Sequence, residues 1–199
     1  MNARTADFQR IELVLTKVDS ISAMGTRAAL IIIDLQVGYM AEAAGTGDVV
    51  QTIQALRAKA KATGVPVVFI QHEESGFGPG DLGWEIAFPV SVDETVVRKR
   101  SADSFLDTDL EERLHALGVK SIVVTGYSTE YCVDSTARSA LSLGFDVVIV
   151  ADGHMTSVST DGSSALTADQ VVRHHNNIFG TITYAGRSCT VVPASELTF

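Results

Sequence analysis

A chain of 199 residues with 15 basic and 24 acidic side chains has a formal charge of −9 and a pI near 4.9. Such a surface repels phosphate backbones and anionic headgroups, which excludes nucleic acid and membrane surfaces as natural partners. The length suits one domain on a scale of roughly 100–200 residues per domain, and 46% hydrophobic against 20% charged residues excludes disorder over most of it.

Residues 1–24 precede the first strand-like run as an N-terminal extension, and 25–199 read as a single domain. The extension carries Arg4, Asp7, Arg10, Glu12 and Lys17 without a continuous apolar stretch, so it does not read as a signal peptide. The expected location is the cytoplasm. Short apolar runs rich in Val and Ile follow: Ala28–Gln36, Val65–His72, Thr95–Lys99, Ser121–Gly126, Asp146–Asp152 and Cys189–Ala194. The longest, from Ala28 to Ile33, falls far short of the ~20 residues of a membrane span. Nearly all are solidly apolar rather than alternating, as strands buried on both faces are. Helical periodicity covers Asp48–Thr63, Asp107–Leu117, Tyr131–Leu143 and Thr167–Ile178, and Gly64, Gly118 and Gly144 close three of these segments. The β–α alternation predicts an α/β fold, a three-layer α/β/α sandwich around a six-stranded, mostly parallel sheet of Rossmann-like type. Between His72 and the third strand lies a loop, Glu73–Pro89, with Gly76, Gly78, Gly80 and Gly83 and the single Trp84. Loops of this length in compact domains tend to carry function.

Ligands of open α/β sheets bind beyond the carboxyl ends of the strands. Asp34, His72, Lys99 and Asp152 end four of the runs, and Cys132 follows a fifth at the opening of a helix. An acid, an amine and a thiol at one sheet edge form a chemically coherent set. A carboxylate directly after a buried strand is costly unless paired. A thiol of pKa ~8.5 at a helix N-terminus beside an ammonium is expected to ionise more easily. The turn before Cys132 also aims backbone N–H groups at one point, as an oxyanion hole requires. Spacing alone does not choose among Arg98, Lys99 and Arg100. The chain has two cysteines, Cys132 and Cys189, and no CxxC pair, GxGxxG after the first strand or Walker motif, so neither a cofactor nor a disulfide framework is expected.

Taken together, Ile33-Asp34-Leu35-Gln36, Lys99 six residues before Phe105 with Thr108-Asp109-Leu110 beyond, and Gly126-Tyr127-Ser128-Thr129-Glu130-Tyr131-Cys132-Val133 resemble the isochorismatase-like cysteine hydrolases. Thr136, Ala140, Gly144 and Asp152 continue that pattern, which runs in order from about Ala28 to Asn177. The resemblance implies a catalytic triad of Asp34, Lys99 and Cys132 and a cis peptide at Tyr127–Ser128. It further implies an oxyanion hole of the Ser128 and Cys132 amides, and a homo-oligomer, dimer or tetramer. The implied reaction cleaves a C–N amide or carbamoyl bond of a small molecule through a Cys thioester. The alternatives are isochorismatase-type vinyl ether hydrolysis and a non-catalytic redox-sensing or binding protein on the same scaffold. Gln36, Phe77, Trp84, Tyr127 and His154 are candidate substrate contacts. No metal is expected: the Asp-x-His pairing of metal-binding relatives is not evident around His72-Glu73-Glu74, and adjacent His174 and His175 diverge on a helix.

Overall fold

The uninterrupted apolar runs become the inner strands of one sheet in the computed structural model, which describes residues 28–43, 46–157 and 166–199. In chain order the elements are β1 (Ala28–Ile33), α1 (Val37–Glu42), α2 (Thr46–Ala62), β2 (Val67–His72) and β3 (Thr95–Lys99). There follow α3 (Leu110–Ala116), β4 (Ser121–Tyr127), α4 (Asp134–Leu143), β5 (Asp146–Met155), α5 (Ala168–Thr181) and β6 (Cys189–Val192). The N-terminal extension and its boundary lie outside the described residues. No helix among those described is long and apolar enough to cross a membrane.

The strands stand in the order β3-β2-β1-β4-β5-β6 and every pairing is parallel. Parallel neighbours need crossovers, and the crossover helices cover both faces. β1 shows the consequence. Ala29, Ile31 and Ile33 pack in the layer with Leu110 and Leu114 of α3, Ala137 and Ala140 of α4 and Phe179 of α5. Ala28, Leu30 and Ile32 face Ile53, Leu56 and Ala60 of α2. This is why the strand is apolar at every position: burying each Leu or Ile contributes roughly 1.5–3 kcal/mol. Strand order reverses between β1 and β4, and the crevice above their carboxyl ends is where such sheets bind ligands.

Local differences from the sequence-based expectation have local causes. β1 stops at Ile33 rather than Gln36, because Asp34 takes a left-handed backbone, φ 50°. The helix expected from Asp107 begins at Leu110, after Asp107 itself adopts φ 56°. β5 runs past Asp152 to Met155. Val124 pairs with Ile149 but Gly126 pairs with His154, so β5 carries a bulge there. Asp152, expected to close the strand, sits in that bulge and accepts the Ala194 amide at 2.8 Å. Helix α1 has no counterpart among the expected segments, since six residues are too few to display a period.

Candidate active site

Three strand ends and one turn build the site. Asp34 follows β1 directly, is 1% exposed, and takes its backbone hydrogen bond from its own N–H to the Ile70 carbonyl at 3.0 Å. Its left-handed backbone costs on the order of 1–3 kcal/mol, a strain that persists where surroundings over-determine it. Lys99 is the last residue of β3. Alternation along the strand turns it inward, to 2% exposure, and turns its neighbours out. Arg98 lies over the Trp84 ring, 5.0 Å from its centre, and Arg100 pairs with Glu73 at 2.7 Å. The tertiary structure thus makes the choice that spacing left open.

Cys132 lies inside one π-helical turn, Thr129–Val133, that precedes α4; the expected helix starting at the cysteine is in fact this wider turn. Such turns recur at functional positions. The Tyr127–Ser128 peptide bond is cis. The Ser128 carbonyl accepts the amides of Tyr131 and Val133, the residues either side of Cys132, at 3.1 Å each. Glu130 ties the turn to the end of β5: its carboxylate accepts Ser128 Oγ at 3.0 Å and Thr156 Oγ1 at 2.7 Å.

The three reactive side chains meet at the Lys99 ammonium. Its Nζ stands 2.8 Å from Asp34 Oδ2 and 3.0 Å from Cys132 Sγ. Ser101 O lies 2.9 Å and His72 Nδ1 3.3 Å away. Four acceptors therefore surround three protons. An unpaired buried ammonium would cost several kcal/mol, and the Asp34 partner offsets this. Burial pushes the Asp34 carboxyl above its ordinary range, opposed by Lys99. Burial, with the Asp34 charge adding to it, pushes the Cys132 thiol up to about 12 despite Lys99. Burial thus works against the easily ionised sulfur expected at this position. Burial, with the Lys99 charge adding to it, pushes the His72 imidazole below its ordinary range.

The candidate substrate contacts divide. Phe77 and Tyr127 are half-buried and flank Tyr39, with ring centres 4.9 and 5.0 Å away. Tyr39 belongs to α1 and had no sequence signal. Its ring centre stands 6.4 Å from that of His72, the neighbour of the Lys99 ammonium, which sets this aromatic group at the site. Gln36 is fully buried, and its carboxamide donates to His72 O at 3.0 Å and Trp84 O at 2.8 Å while accepting the His72 amide at 2.8 Å. It clamps the loop to the strand ends. Trp84 is buried under Arg98 at the sheet edge. His154 is 1% exposed and lies behind the turn, bonded to Thr129 and Asn176, so it does not line a pocket.

Among the described residues, no three His, Cys, Asp or Glu side chains gather as metal ligands. His175 bonds the Val171 carbonyl at 3.0 Å, and its ring stands edge-on to His174.

Comparison with known proteins places this architecture. Residues 28–183 match the model of the isochorismatase domain. The streptothricin hydrolase of Streptomyces noursei is 36% identical over 136 residues, 64% of this chain and 49% of that protein. The ureidoacrylate amidohydrolase RutB of Pseudomonas syringae pv. syringae is 27% identical over 169 residues, covering 62% of this chain and 69% of RutB. The chain therefore spans about half the length of the streptothricin hydrolase it matches. The crystal structure of a cysteine hydrolase from Pseudomonas syringae pv. phaseolicola 1448A superposes with a TM-score of 0.76 at 25% identity, covering 86% of this chain and 90% of that one. With its domain match, its sheet order and its strand-end geometry in agreement, this chain belongs to the isochorismatase family.

Proposed function

We propose that the protein is a hydrolase that cleaves a C–N amide or carbamoyl bond of a small molecule through a thioester on Cys132. The observation that carries this reading is one ammonium, Lys99 Nζ, 2.8 Å from a carboxylate and 3.0 Å from a thiol.

Asp34 accepts the Cys132 proton as Sγ attacks the carbonyl carbon. Negative charge passes from carboxylate to sulfur, both within reach of the same ammonium, so the Lys99 attraction persists throughout the transfer. A thiol pushed up by burial suits this order of events, because ionisation is coupled to attack rather than preceding it. The Ser128 and Cys132 amides receive the oxyanion. Protonated Asp34 then gives its proton to the departing nitrogen as the C–N bond breaks, leaving the thioester. A water deprotonated by Asp34 attacks the acyl carbon, the C–S bond breaks, and the proton returns to sulfur. The aromatic group of Tyr39, Phe77 and Tyr127 suits a planar substrate and limits water at the sulfur. A redox sensor would need a readily ionised thiol, which the burial of Cys132 opposes. The same reading carries a cytoplasmic, homo-oligomeric enzyme.

Ammonia release from a panel of small primary amides and ureido acids, with ring opening by one water followed by mass spectrometry for cyclic amides, tests it. Cys132→Ala and Asp34→Asn each abolish turnover with the fold retained, and mass spectrometry finds a substrate-sized acyl adduct on Cys132. Substantial residual turnover in either variant, or pyruvate release from isochorismate in place of ammonia from any amide, would overturn it.

A further inference from the structure

His154 is a buried, titratable side chain that the mechanism above does not use, and its hydrogen bonds define its role. Asn176 Nδ2 donates to the Ala151 carbonyl at 3.0 Å, which leaves Asn176 Oδ1 as the acceptor facing His154 Nε2 at 2.9 Å. Nε2 therefore carries the ring proton. Nδ1 is left as an acceptor, and the Thr129 hydroxyl donates to it at 2.8 Å. The neutral ring this requires agrees with burial, which holds the imidazole below its ordinary range.

Thr129 is wholly buried and is the first residue of the π-helical turn that holds Cys132. Its own carbonyl accepts the Asp134 amide that closes the turn. The β5 bulge explains how His154 reaches it: the extra residues after Ile149 bring His154 into register with Gly126, two residues before Ser128. A side chain on a regular β5 in this register would lie elsewhere along the strand. The chain Asn176–His154–Thr129 thus runs from α5 through the sheet to the turn, with each donor and acceptor matched.

We infer that His154 is a positioning residue, which through Thr129 sets the direction of the Ser128 and Cys132 amides toward the oxyanion. This rests on the acyl-transfer reading above. The role predicts a separation between two reactions of the same sulfur. Acylation by 4-nitrophenyl acetate passes through a tetrahedral oxyanion and needs the amides. Alkylation by iodoacetamide displaces iodide without an oxyanion and does not.

The experiment measures both rates at Cys132, with Cys132→Ala subtracted, in the unsubstituted protein and in Thr129→Val, His154→Leu, the double variant and His154→Gln. Thr129→Val and His154→Leu lower acylation by about tenfold or more, as small misplacements of reacting groups do, while alkylation changes by less than about threefold. The double variant equals either single one rather than their product, as for two members of one chain of contacts. His154→Gln, which offers an amide oxygen to Thr129 and an N–H to Asn176, recovers most of the acylation rate. Should His154→Leu fail to fold, judged by circular dichroism and thermal melting, Thr129→Val and His154→Gln carry the comparison. Unchanged acylation in Thr129→Val, equal losses in both reactions, or additive effects in the double variant overturn the inference and leave the acyl-transfer reading standing. A native protein whose Cys132 alkylates but is never acylated sinks the acyl-transfer reading and this inference with it.

Discussion

Gly126 of β4 passes so close to Ile33 of β1 that a Cβ on it would stand 2.1 Å from the Ile33 carbonyl oxygen and 2.6 Å from its nitrogen. Its φ of 119° is one that other residues rarely adopt. The contact joins the strand that ends in Asp34 to the strand that leads into the Cys132 turn, so the acid and the thiol owe their separation to a missing side chain. Gly126→Ala must push the two strands apart, and the expected cost is at least about 3 kcal/mol. Urea unfolding would show this as a lower midpoint or as loss of soluble protein. A midpoint near that of the native protein would contradict the close approach.

Removing the ammonium alone leaves a buried carboxylate uncompensated. Lys99→Ala is expected to destabilise the fold by about 3–5 kcal/mol, whereas Lys99→Ala/Asp34→Asn, which removes both charges, loses distinctly less than the sum of its parts. Thermal melts of the four proteins measure this coupling. Additive losses would mean the pair does not interact as the 2.8 Å contact requires.

Ionisation of Cys132 gives a pH signature. Its thiol is pushed up to about 12 from an ordinary 9.0, so above pH 9 the unfolded chain releases this proton before the folded one does. The unfolded state then binds fewer protons, and stability falls as pH rises. By pH 10 the loss amounts to about 1 to 1.5 kcal/mol at 1.36 kcal/mol per unit, and it disappears in Cys132→Ala. The thiolate ultraviolet absorbance should likewise show no plateau near neutral pH. A plateau around pH 7 would restore the reading of a resting thiolate.

Gln36→Leu tests the role of that residue as a clamp. It strips a partner from the His72 amide and the His72 carbonyl, while the Trp84 carbonyl keeps Gln71 Nε2 at 3.0 Å, and each buried group left unpaired costs about 1–3 kcal/mol. Expected is a loss of about 2–4 kcal/mol in chemical unfolding, with the iodoacetamide reactivity of Cys132 retained in the protein that remains folded.

Acid should silence the proposed turnover from the Asp34 side. Burial raises this carboxyl from its ordinary 3.8, so the base is lost by protonation at a higher pH than for an exposed aspartate. The acid limb of kcat/KM is therefore expected above the ordinary carboxylate range, and a limb at or below it would contradict the burial of Asp34.

Much of this was legible in one dimension because burial leaves a composition behind. β1 is apolar at six consecutive positions since helices cover both its faces, and Gly144, expected to end a helix, caps α4 at φ 99°. The acid, the amine and the thiol stood out because strand ends and helix entries are where such a sheet displays polar groups. Less visible were features made by contact. Tyr39 lies on a helix of six residues, too short for a period. Glu130 and Thr156 read as ordinary polar residues until the turn and the β5 bulge bring their oxygens together.

The order of hydrophobic runs and glycines along the chain was enough to determine the layered fold, because strand burial and helix termination depend on residues near in sequence. The family resemblance already pointed to Lys99 among Arg98, Lys99 and Arg100, but its inward turn, the burial of the thiol's surroundings and the bracing hydrogen bonds of Gln36 and His154 came only from tertiary structure. Each of these depends on desolvation and on partners dozens of residues away, and a linear pattern carries no distances between them.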